Sequence, residues 1–268
     1  MENQNRLIAR WRAGQPTLGG WIALGGPPVA EHMAAAGFDT ICVDQQHGLS
    51  DRIMIGEVFR AIELHGVTPI TRVPANDPMQ LGRALDMGAQ AVIVPMVNSP
   101  DEAARAVAAC HYPPRGIRSA GPVRGAVARV SDRLEHLDDV ACVVMVETSG
   151  GLRNVDAIAG TPGVDAIYIG PADLAVALGI PRRREERSSS DASAHAAAVE
   201  AIRSACVRHG VAPGIHTDDG ETAATYLEQG FLMVTIASDM RLLGAGSRHQ
   251  LAVARAAVER RTGTEVAG

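Results

Sequence analysis

The sequence predicts one α/β domain, a (β/α)8 TIM barrel that spans residues 1–268. Short apolar runs rich in β-branched residues alternate with longer Ala-rich stretches of helical spacing. Eight such units follow one another, which favours a closed barrel. The alternative is an open doubly wound sheet. It is disfavoured because no GxGxxG segment follows the first apolar run.

The apolar runs define the expected elements. Strands are predicted at Gly19–Leu24, Thr40–Asp44, Thr68–Val73, Ala91–Met96, Cys142–Glu147, Ala166–Gly170, Ala212–His216 and Met233–Ser238. Helices are predicted at Pro28–Ala36, Ile53–His65, Met79–Met87, Pro100–Ala109, Gly151–Ala159, Ala194–His209 and Glu221–Gln229. Glycine stands where a helix C-cap is expected at Gly37, Gly66, Gly88, Gly163, Gly210 and Gly230.

Three segments lie outside this regular alternation. The joint between strands four and five, around 111–125, is too long for a simple βα unit, and a long loop in a compact domain is more often functional. The polar stretch 182–190 is expected to be a solvated surface loop. Arg241–Arg261 is Ala-rich and helical, and it is the last barrel helix, an element exchanged between subunits, or both.

Composition narrows the class of partner. Hydrophobic residues make up 46% and aromatics 3%, so the core must be aliphatic, as in buried parallel strands. The net charge of -5 argues against nucleic acid or an anionic membrane as partner. The four cysteines form no CxxC pair and are expected to be buried free thiols. The first ten residues contain no apolar signal region, and we expect a soluble cytoplasmic protein.

The chain contains no lysine, so all 25 basic residues are arginine. This excludes Schiff-base chemistry, pyridoxal phosphate anchored on lysine, and the phosphate-binding loop that ends in Lys-Ser/Thr. An enolate formed in this protein therefore needs another electron sink. A divalent metal ion is the obvious one.

Two acidic residues are the candidate metal ligands. Glu147 and Asp173 follow neighbouring strands, and the carboxyl ends of barrel strands carry the active site. Two carboxylates with water and substrate oxygens would form the octahedral oxygen set that Mg²⁺ or Mn²⁺ prefers. The alternatives are an N-cap for Asp173 and an ion pair with Arg72 or Arg153 for Glu147.

Polar residues also end strands two and three. His47 follows the strand that ends in Asp44, and a carboxylate beside an imidazole makes a general acid/base pair. The alternative is a structural histidine. Arg72 ends an apolar strand and needs an anionic partner, so it supports the oxyanion of an enolate, forms an internal salt bridge to Glu147 or Asp44, or does both. Gly170–Asp173 precedes a helix whose N–H groups would receive a carboxylate.

These residues stand in motifs that resemble the HpcH/HpaI aldolases, the class II pyruvate aldolases that include 2,4-dihydroxyhept-2-ene-1,7-dioate aldolase and 2-keto-3-deoxy sugar acid aldolases. The similarity extends over nearly the whole chain. It is carried by the segments Gly19–Trp21, Val43–Gly48, Thr71–Pro74, Pro113–Ser119, Val146–Thr148, Ile169–Leu174 and Ser238–Leu243.

The resemblance implies reversible cleavage of a 4-hydroxy-2-oxo acid to pyruvate or hydroxypyruvate and an aldehyde. It implies a divalent metal ion (Mg²⁺, Mn²⁺ or Co²⁺) on Glu147 and Asp173, and an enolate supported by Arg72. It also implies that His47 with Asp44 handles the proton, and that the N–H groups of Ala172 and Asp173 receive the pyruvate carboxylate. A homohexamer with exchanged C-terminal helices follows from the same resemblance.

Two positions depart from the family pattern. Gln46 stands where members of the family often carry glutamate, and Met145 stands where some carry glutamine. Other functions also stay open. A lyase acting on an acyl-CoA ester, as in the citrate lyase and malyl-CoA lyase barrels, is the first alternative. A non-catalytic barrel that binds an oxo acid is the second, and an oxaloacetate decarboxylase is the third.

Overall fold

A closed barrel of eight parallel strands forms the centre of the structure, with each strand paired to the next and β8 paired to β1. The computed structural model describes residues 5–49 and 54–262. The strands are β1 Thr17–Ile22, β2 Thr40–Asp44, β3 Thr68–Arg72, β4 Ala91–Val94, β5 Ala141–Val146, β6 Ala166–Ile169, β7 Ala212–His216 and β8 Met233–Ser238. The predicted (β/α)8 barrel is confirmed.

Helices surround the barrel and follow the strands. Those in the described residues are α1 Arg6–Arg12, α2 Pro27–Ala35, α3 Ile55–Glu63, α4 Pro78–Asp86, α5 Pro100–Cys110, α6 Val123–Arg129, α7 Leu134–Leu137, α8 Ser149–Arg153, α9 Val155–Ala159, α10 Pro171–Ala177, α11 Ser189–His209, α12 Gly220–Glu228 and α13 Asp239–Thr262. The six glycines predicted to follow helices all have positive φ, from 67° at Gly210 to 103° at Gly88. That left-handed backbone ends a helix without a side-chain clash.

Several boundaries differ from the predicted ones. The helix predicted over Gly151–Ala159 is two short helices, α8 and α9, which meet at Asn154. Helix α11 begins five residues earlier than predicted because Ser188 and Asp191 form a reciprocal capping box. Part of the stretch expected to be a surface loop is therefore helical. The predicted start of a helix at Ile53 lies outside the described residues.

The long joint between β4 and β5 contains an irregular loop over 111–122, which lies between α5 and α6, and the short helix α7 follows. Its arginines bind carboxylates of the surrounding structure. Arg115 pairs with Asp138 at 2.9 Å, and Arg118, which is almost fully buried, pairs with Asp86 at 2.7 Å. These contacts give the joint a structural role in holding the helical layer together.

Two apolar layers form the core, as expected for a barrel in which strand residues alternate between interior and exterior. Aliphatic side chains fill the space between strands and helices. The interior layer holds Trp21, Cys42, Ile70, Met145 and Tyr168 among its members. All four cysteines are buried and free, as predicted.

Helix α13 contacts β1 and β8, and most of its described residues are exposed. Large apolar side chains are exposed along it, with half or more of the surface accessible at Leu242, Leu243, Leu251 and Val253. A helix with this surface is typical of one that packs against another chain. Within the described ranges, no helix is long and apolar enough to cross a membrane.

Candidate active site

Strand alternation brings the predicted polar residues together at the carboxyl end of the barrel. Asp44 and Arg72 are the last residues of the paired strands β2 and β3, where they stand directly opposite each other. Glu147 follows β5, and His216 ends β7. Asp44, Arg72 and Glu147 are each more than 90% buried, although all three carry charge. Buried charges require partners, and these partners define the site.

Arg72 and Asp44 form a two-pronged ion pair. Arg72 Nε donates to Asp44 Oδ1 at 2.9 Å, and Arg72 Nη2 donates to Oδ2 at 2.5 Å. Trp21 Nε1 also donates to Oδ2, at 3.3 Å. The backbone N–H groups of Gln46 and His47 donate to Oδ1 at 3.0 and 3.2 Å. The carboxylate therefore fixes the guanidinium and the start of the following loop at the same time.

The pair stays ionised although it is buried. Burial alone raises the pKa of Asp44, but the hydrogen bonds and charge of Arg72 outweigh burial and leave this pKa below its usual value. Burial likewise opposes the charged form of Arg72, and Asp44 outweighs it, so the pKa of Arg72 is raised. Arg72 also lies over the ring of Trp21, 5.0 Å from the ring centroid. A fixed cation at the barrel mouth suits the support of a developing oxyanion.

His47 lies in the loop after β2, and its side chain is exposed. Among the described residues, its contact with Asp44 runs through the backbone N–H and not through the imidazole. The expected carboxylate–imidazole pair is thus not present in this structure, because Arg72 and Trp21 take the outer side of the carboxylate. Asp44 orients Arg72 directly and positions His47 through the main chain.

Glu147 has the environment of a ligand for a cation. Its Oε1 accepts the N–H of Met96 at 2.9 Å, and Met96 reaches this position with a left-handed backbone, φ 60°. Burial raises the pKa of Glu147, and the negative charge of Asp173 raises it further. The Met96 N–H and Arg72 oppose this rise without cancelling it. A divalent cation would offset the repulsion between the two negative charges.

Gly170 leaves space for Glu147 at the end of β6. A Cβ at Gly170 would lie 2.7 Å from Glu147 Oε2, which is closer than a Cβ atom comes to another residue's atoms in proteins. Gly170 is also the N-cap of α10, and no described side chain caps this helix. Asp173 lies in the first turn of α10 with its side chain exposed, and the N–H groups of Ala172 and Asp173 are among the first of the helix. Two carboxylates at one rim fit a divalent ion with oxygen ligands.

An aromatic wall at the mouth was not predicted from the sequence. Trp21 and Tyr168 stack with centroids 6.0 Å apart, and the ring of His216 meets Trp21 edge-on at 5.0 Å. Tyr168 is fully buried and donates its hydroxyl proton to Thr235 Oγ1 at 2.6 Å. In a chain with so few aromatics, the clustering of inward-facing Trp and Tyr positions on β1 and β6 was the available signal.

The two departures from the family pattern both lie near this site. Gln46 lies two residues after Asp44, and its Oε1 is buried without a hydrogen-bond partner among the described residues. Met145 is 2% exposed in the barrel interior. Its Cε would lie 3.1 Å from a Cβ at Gly170, which brings it close to Glu147. A thioether there removes a polar contact that a glutamine would supply.

Other polar residues at the rim have structural partners. Thr148 caps α8 by accepting the N–H of Gly151, and Asp219 caps α12 by accepting the N–H of Thr222. Asp239 accepts the N–H groups of Ala23 and Leu24 at 2.8 and 3.0 Å, which ties the loop after β1 to β8. These contacts hold the loops around the mouth.

A closed barrel with charged side chains gathered at the carboxyl ends of its strands is the arrangement of (β/α)8 enzymes. Residues 18–245 match the family described as HpcH/HpaI aldolase/citrate lyase. The chain belongs to this family, as its motifs predicted.

Known relatives cover nearly the whole chain. A hydroxypyruvate/pyruvate aldolase of Rhizorhabdus wittichii is 37% identical over 253 residues, which cover 94% of this chain and 99% of the relative. A 4-hydroxy-2-oxo-heptane-1,7-dioate aldolase of Salmonella newport is 35% identical over 257 residues, 93% of this chain and 94% of the relative. The crystal structure of an HpcH/HpaI aldolase/citrate lyase family protein from Burkholderia cenocepacia superposes with a TM-score of 0.85 at 34% identity. That match covers 94% of this chain and all of the other.

Proposed function

We propose that the chain, acting as one barrel domain over residues 1–268, is a divalent-metal-dependent class II aldolase. It reversibly cleaves a 4-hydroxy-2-oxo acid to pyruvate or hydroxypyruvate and an aldehyde. One observation carries this proposal: a buried arginine, fixed by Asp44, shares a rim with a buried glutamate whose pKa is raised. Similarity to relatives named as aldolases of these 2-oxo acids supports it.

Glu147 and Asp173 would hold the metal ion, since both offer carboxylate oxygens at the ends of adjacent strands. When bound, Mg²⁺, Mn²⁺ or Co²⁺ would supply Lewis-acid polarisation of the 2-oxo group. The backbone N–H groups of Ala172 and Asp173 would receive the carboxylate of the 2-oxo acid, as the first N–H groups of a helix can. Arg72 would stand at the oxygen that becomes the enolate.

Two residues of the chain act on the reacting groups: His47 on the proton of the C4 hydroxyl, and Arg72 on the enolate that receives the electron pair of the C3–C4 bond. His47 takes the proton of the C4 hydroxyl, and the C4 oxygen becomes the aldehyde oxygen as the C3–C4 bond breaks. The electron pair of that bond enters the enolate, whose oxygen Arg72 stabilises with donors already held in place by Asp44. Protonation of C3 by His47 then gives pyruvate and restores the free base.

Replacing His47 by glutamine should lower kcat on the order of a hundredfold or more, because a general base contributes that much. The measurement is pyruvate release by a coupled dehydrogenase. His32→Gln is the matched control, since His32 is also exposed but lies in α2 on the outer layer. Near-normal turnover of His47→Gln would rule out the assigned role.

Metal removal tests the proposed function as a whole. The chain is treated with a chelator, and pyruvate release from a panel of 4-hydroxy-2-oxo acids is measured before and after Mg²⁺, Mn²⁺ or Co²⁺ is restored. We expect activity to vanish and to return with metal. Activity that is indifferent to metal would contradict the mechanism. Saturation by acyl-CoA esters, or binding of a 2-oxo acid without turnover at any metal concentration, would favour the alternative functions.

We also propose that the protein is a cytoplasmic homohexamer with exchanged C-terminal helices. The exposed apolar residues of α13 support association, because a single chain leaves this surface in water. Sedimentation velocity should give the mass of six chains. Truncation after Ser238 should give particles of fewer than six chains. A monomeric full-length chain would contradict the proposal.

A further inference from the structure

His216 lies on the wall of the barrel mouth that the proposed catalytic residues do not use. It ends β7, whereas Arg72 ends β3, and Glu147 and Asp173 follow β5 and β6. The edge-on contact with Trp21 shows that the imidazole points into the barrel, since the Trp21 ring lies beneath the Arg72 guanidinium. A 2-oxo acid held on β3, β5 and β6 would therefore extend its aldehyde half toward β7 and β1.

The hydrogen bonds around Tyr168 determine which nitrogen of His216 carries the proton. The Tyr168 hydroxyl donates to Thr235 Oγ1 at 2.6 Å, and a phenol has one proton. The same oxygen lies 3.2 Å from His216 Nδ1. Tyr168 can only accept there, so Nδ1 is the protonated nitrogen. The Nε2 of a neutral His216 is then left as a hydrogen-bond acceptor.

The imidazole is neutral at physiological pH. Burial lowers the pKa of His216 to about 4, and the positive charges of Arg72 and Arg241 act in the same direction. The carboxylates of Asp218 and Asp44 oppose this shift without reversing it. A neutral imidazole with a lone pair on Nε2 attracts a hydroxyl proton and repels a carboxylate.

The cations beside His216 are already paired. Arg72 binds Asp44, and Arg241 Nε lies 2.9 Å from Asp218 Oδ1. Within the described part of the chain, these two arginines are the cations that act on His216. Among the described residues, neither arginine beside His216 is therefore left uncommitted to meet a carboxylate at the far end of a substrate.

We propose that His216 is a specificity residue, whose Nε2 accepts a hydrogen bond from a hydroxyl group on the aldehyde half of the substrate. The aldehyde is accordingly a short hydroxyaldehyde, and not an apolar or carboxylate-bearing one. This inference rests on the proposed aldol cleavage and assigns its substrate class. Tyr168 acts as a positioning residue, because its acceptor oxygen holds the proton on Nδ1.

Three substrates that differ in one group test the selectivity. Cleavage of 4,5-dihydroxy-2-oxopentanoate releases glycolaldehyde, 4-hydroxy-2-oxohexanoate releases propanal, and 4-hydroxy-2-oxoglutarate releases glyoxylate. The first two differ by hydroxyl against methyl. We expect kcat/KM of the natural chain to favour the hydroxylated substrate about threefold to tenfold over the apolar one, as one neutral hydrogen bond provides. The carboxylated substrate should be the poorest.

Two variants connect this preference to His216. His216→Leu should reduce the ratio between the hydroxylated and the apolar substrate to about one, whereas His216→Gln, which keeps an acceptor, should retain most of it. An unchanged ratio in His216→Leu would overturn the inference while leaving aldol cleavage intact. No cleavage of any substrate by the natural chain with metal would overturn the proposed function, and the selectivity with it.

The tautomer of His216 is measured by NMR, so this test does not depend on an activity assay. In ¹⁵N-histidine-labelled protein at neutral pH, we expect His216 to show a protonated Nδ1 and an unprotonated Nε2, with the assignment made by loss of the signal in His216→Leu. Tyr168→Phe removes the acceptor oxygen and should shift the population toward the other tautomer. A protonated Nε2 in the natural chain would overturn the inference whatever the substrate preference.

Discussion

Replacement of Arg72 by alanine is expected to lower kcat about a hundredfold or more, as loss of one preorganised oxyanion donor does. The reason is the fixed geometry: two hydrogen bonds to Asp44 hold the guanidinium before substrate arrives. No reorganisation is then needed when charge develops on the enolate oxygen. The measurement is steady-state pyruvate release with metal present. Arg72→Lys keeps the charge but loses the two-pronged contact. Its kcat should lie between that of the natural chain and that of Arg72→Ala.

The same substitution should also destabilise the fold. Removing one partner of a buried ion pair costs about 3–5 kcal/mol because the other charge stays buried. Asp44 has a pKa below its usual value, so its ionised form stabilises the folded state above the pKa of the unfolded chain. That contribution is lost as pH falls through the folded-state pKa. The stability gap between the natural chain and Arg72→Ala should therefore be widest near neutral pH and narrow in acid.

An ion pair at the opposite end of the barrel provides the matched control. Arg10 in α1 pairs with Asp39, which precedes β2, and both side chains are partly exposed. Arg10→Ala removes the same type of contact far from the site, so we expect a small loss of stability and no loss of kcat. Equal losses of kcat in both variants would show that Arg72 acts through stability alone. Turnover is compared at a temperature where circular dichroism shows both variants folded.

The sequence predicted the barrel because its signals were local and repeated. Alternation of apolar runs, together with Gly37, Gly66 and the other glycines after helices, depends on period and backbone sterics. Element ends were less accurate. The capping box of Ser188 begins α11 early, and a predicted helix is divided at Asn154, whose side chain donates to the Asn98 carbonyl and does not cap α9.

Strand-end position was a stronger signal in the sequence than the choice of partner for each polar residue. Asp44, Arg72 and Glu147 were identified by strand-end position, and the barrel brings them to one rim. The sequence paired Asp44 with His47 and left Arg72 open to a salt bridge with either Glu147 or Asp44, and in the structure Arg72 pairs with Asp44, which is opposite in register. Register between strands is a long-range property that one segment does not encode. The contact of Met96 with Glu147 was also missed, since it depends on a left-handed backbone.

Replacement of Glu147 by glutamine should abolish metal-dependent activity, with kcat lowered on the order of a hundredfold or more, since a bound metal supplies several kcal/mol. Glutamine keeps the size of the side chain and an oxygen for the Met96 N–H, but it carries no charge. A second effect separates metal binding from catalysis. Mn²⁺ at a hundred times its Kd should stabilise the natural chain by about 2.7 kcal/mol. Glu147→Gln should show little or none of this stabilisation.

Without metal, the pKa of Glu147 determines whether Glu147→Gln is more or less stable than the natural chain. The pKa of Glu147 is raised in the folded chain, chiefly by burial and further by Asp173. Such a group stabilises the fold fully below the pKa of the unfolded chain, and that stability is lost as pH rises through the folded-state pKa. Glutamine cannot ionise. Without metal, Glu147→Gln should be at least as stable as the natural chain at neutral pH, and the difference should disappear in acid.

Thermal unfolding with and without Mn²⁺ measures both effects in one series. The matched control is Glu57→Gln, which neutralises an exposed glutamate of α3 that pairs with Arg60 on the outer layer. We expect that control to keep the full Mn²⁺ shift. Retention of the shift in Glu147→Gln would exclude Glu147 as a ligand, whereas loss of the shift together with lower metal-free stability would mean that the carboxylate is structural. Loss of the shift with unchanged or higher metal-free stability is the combination that only a buried ligand carboxylate produces.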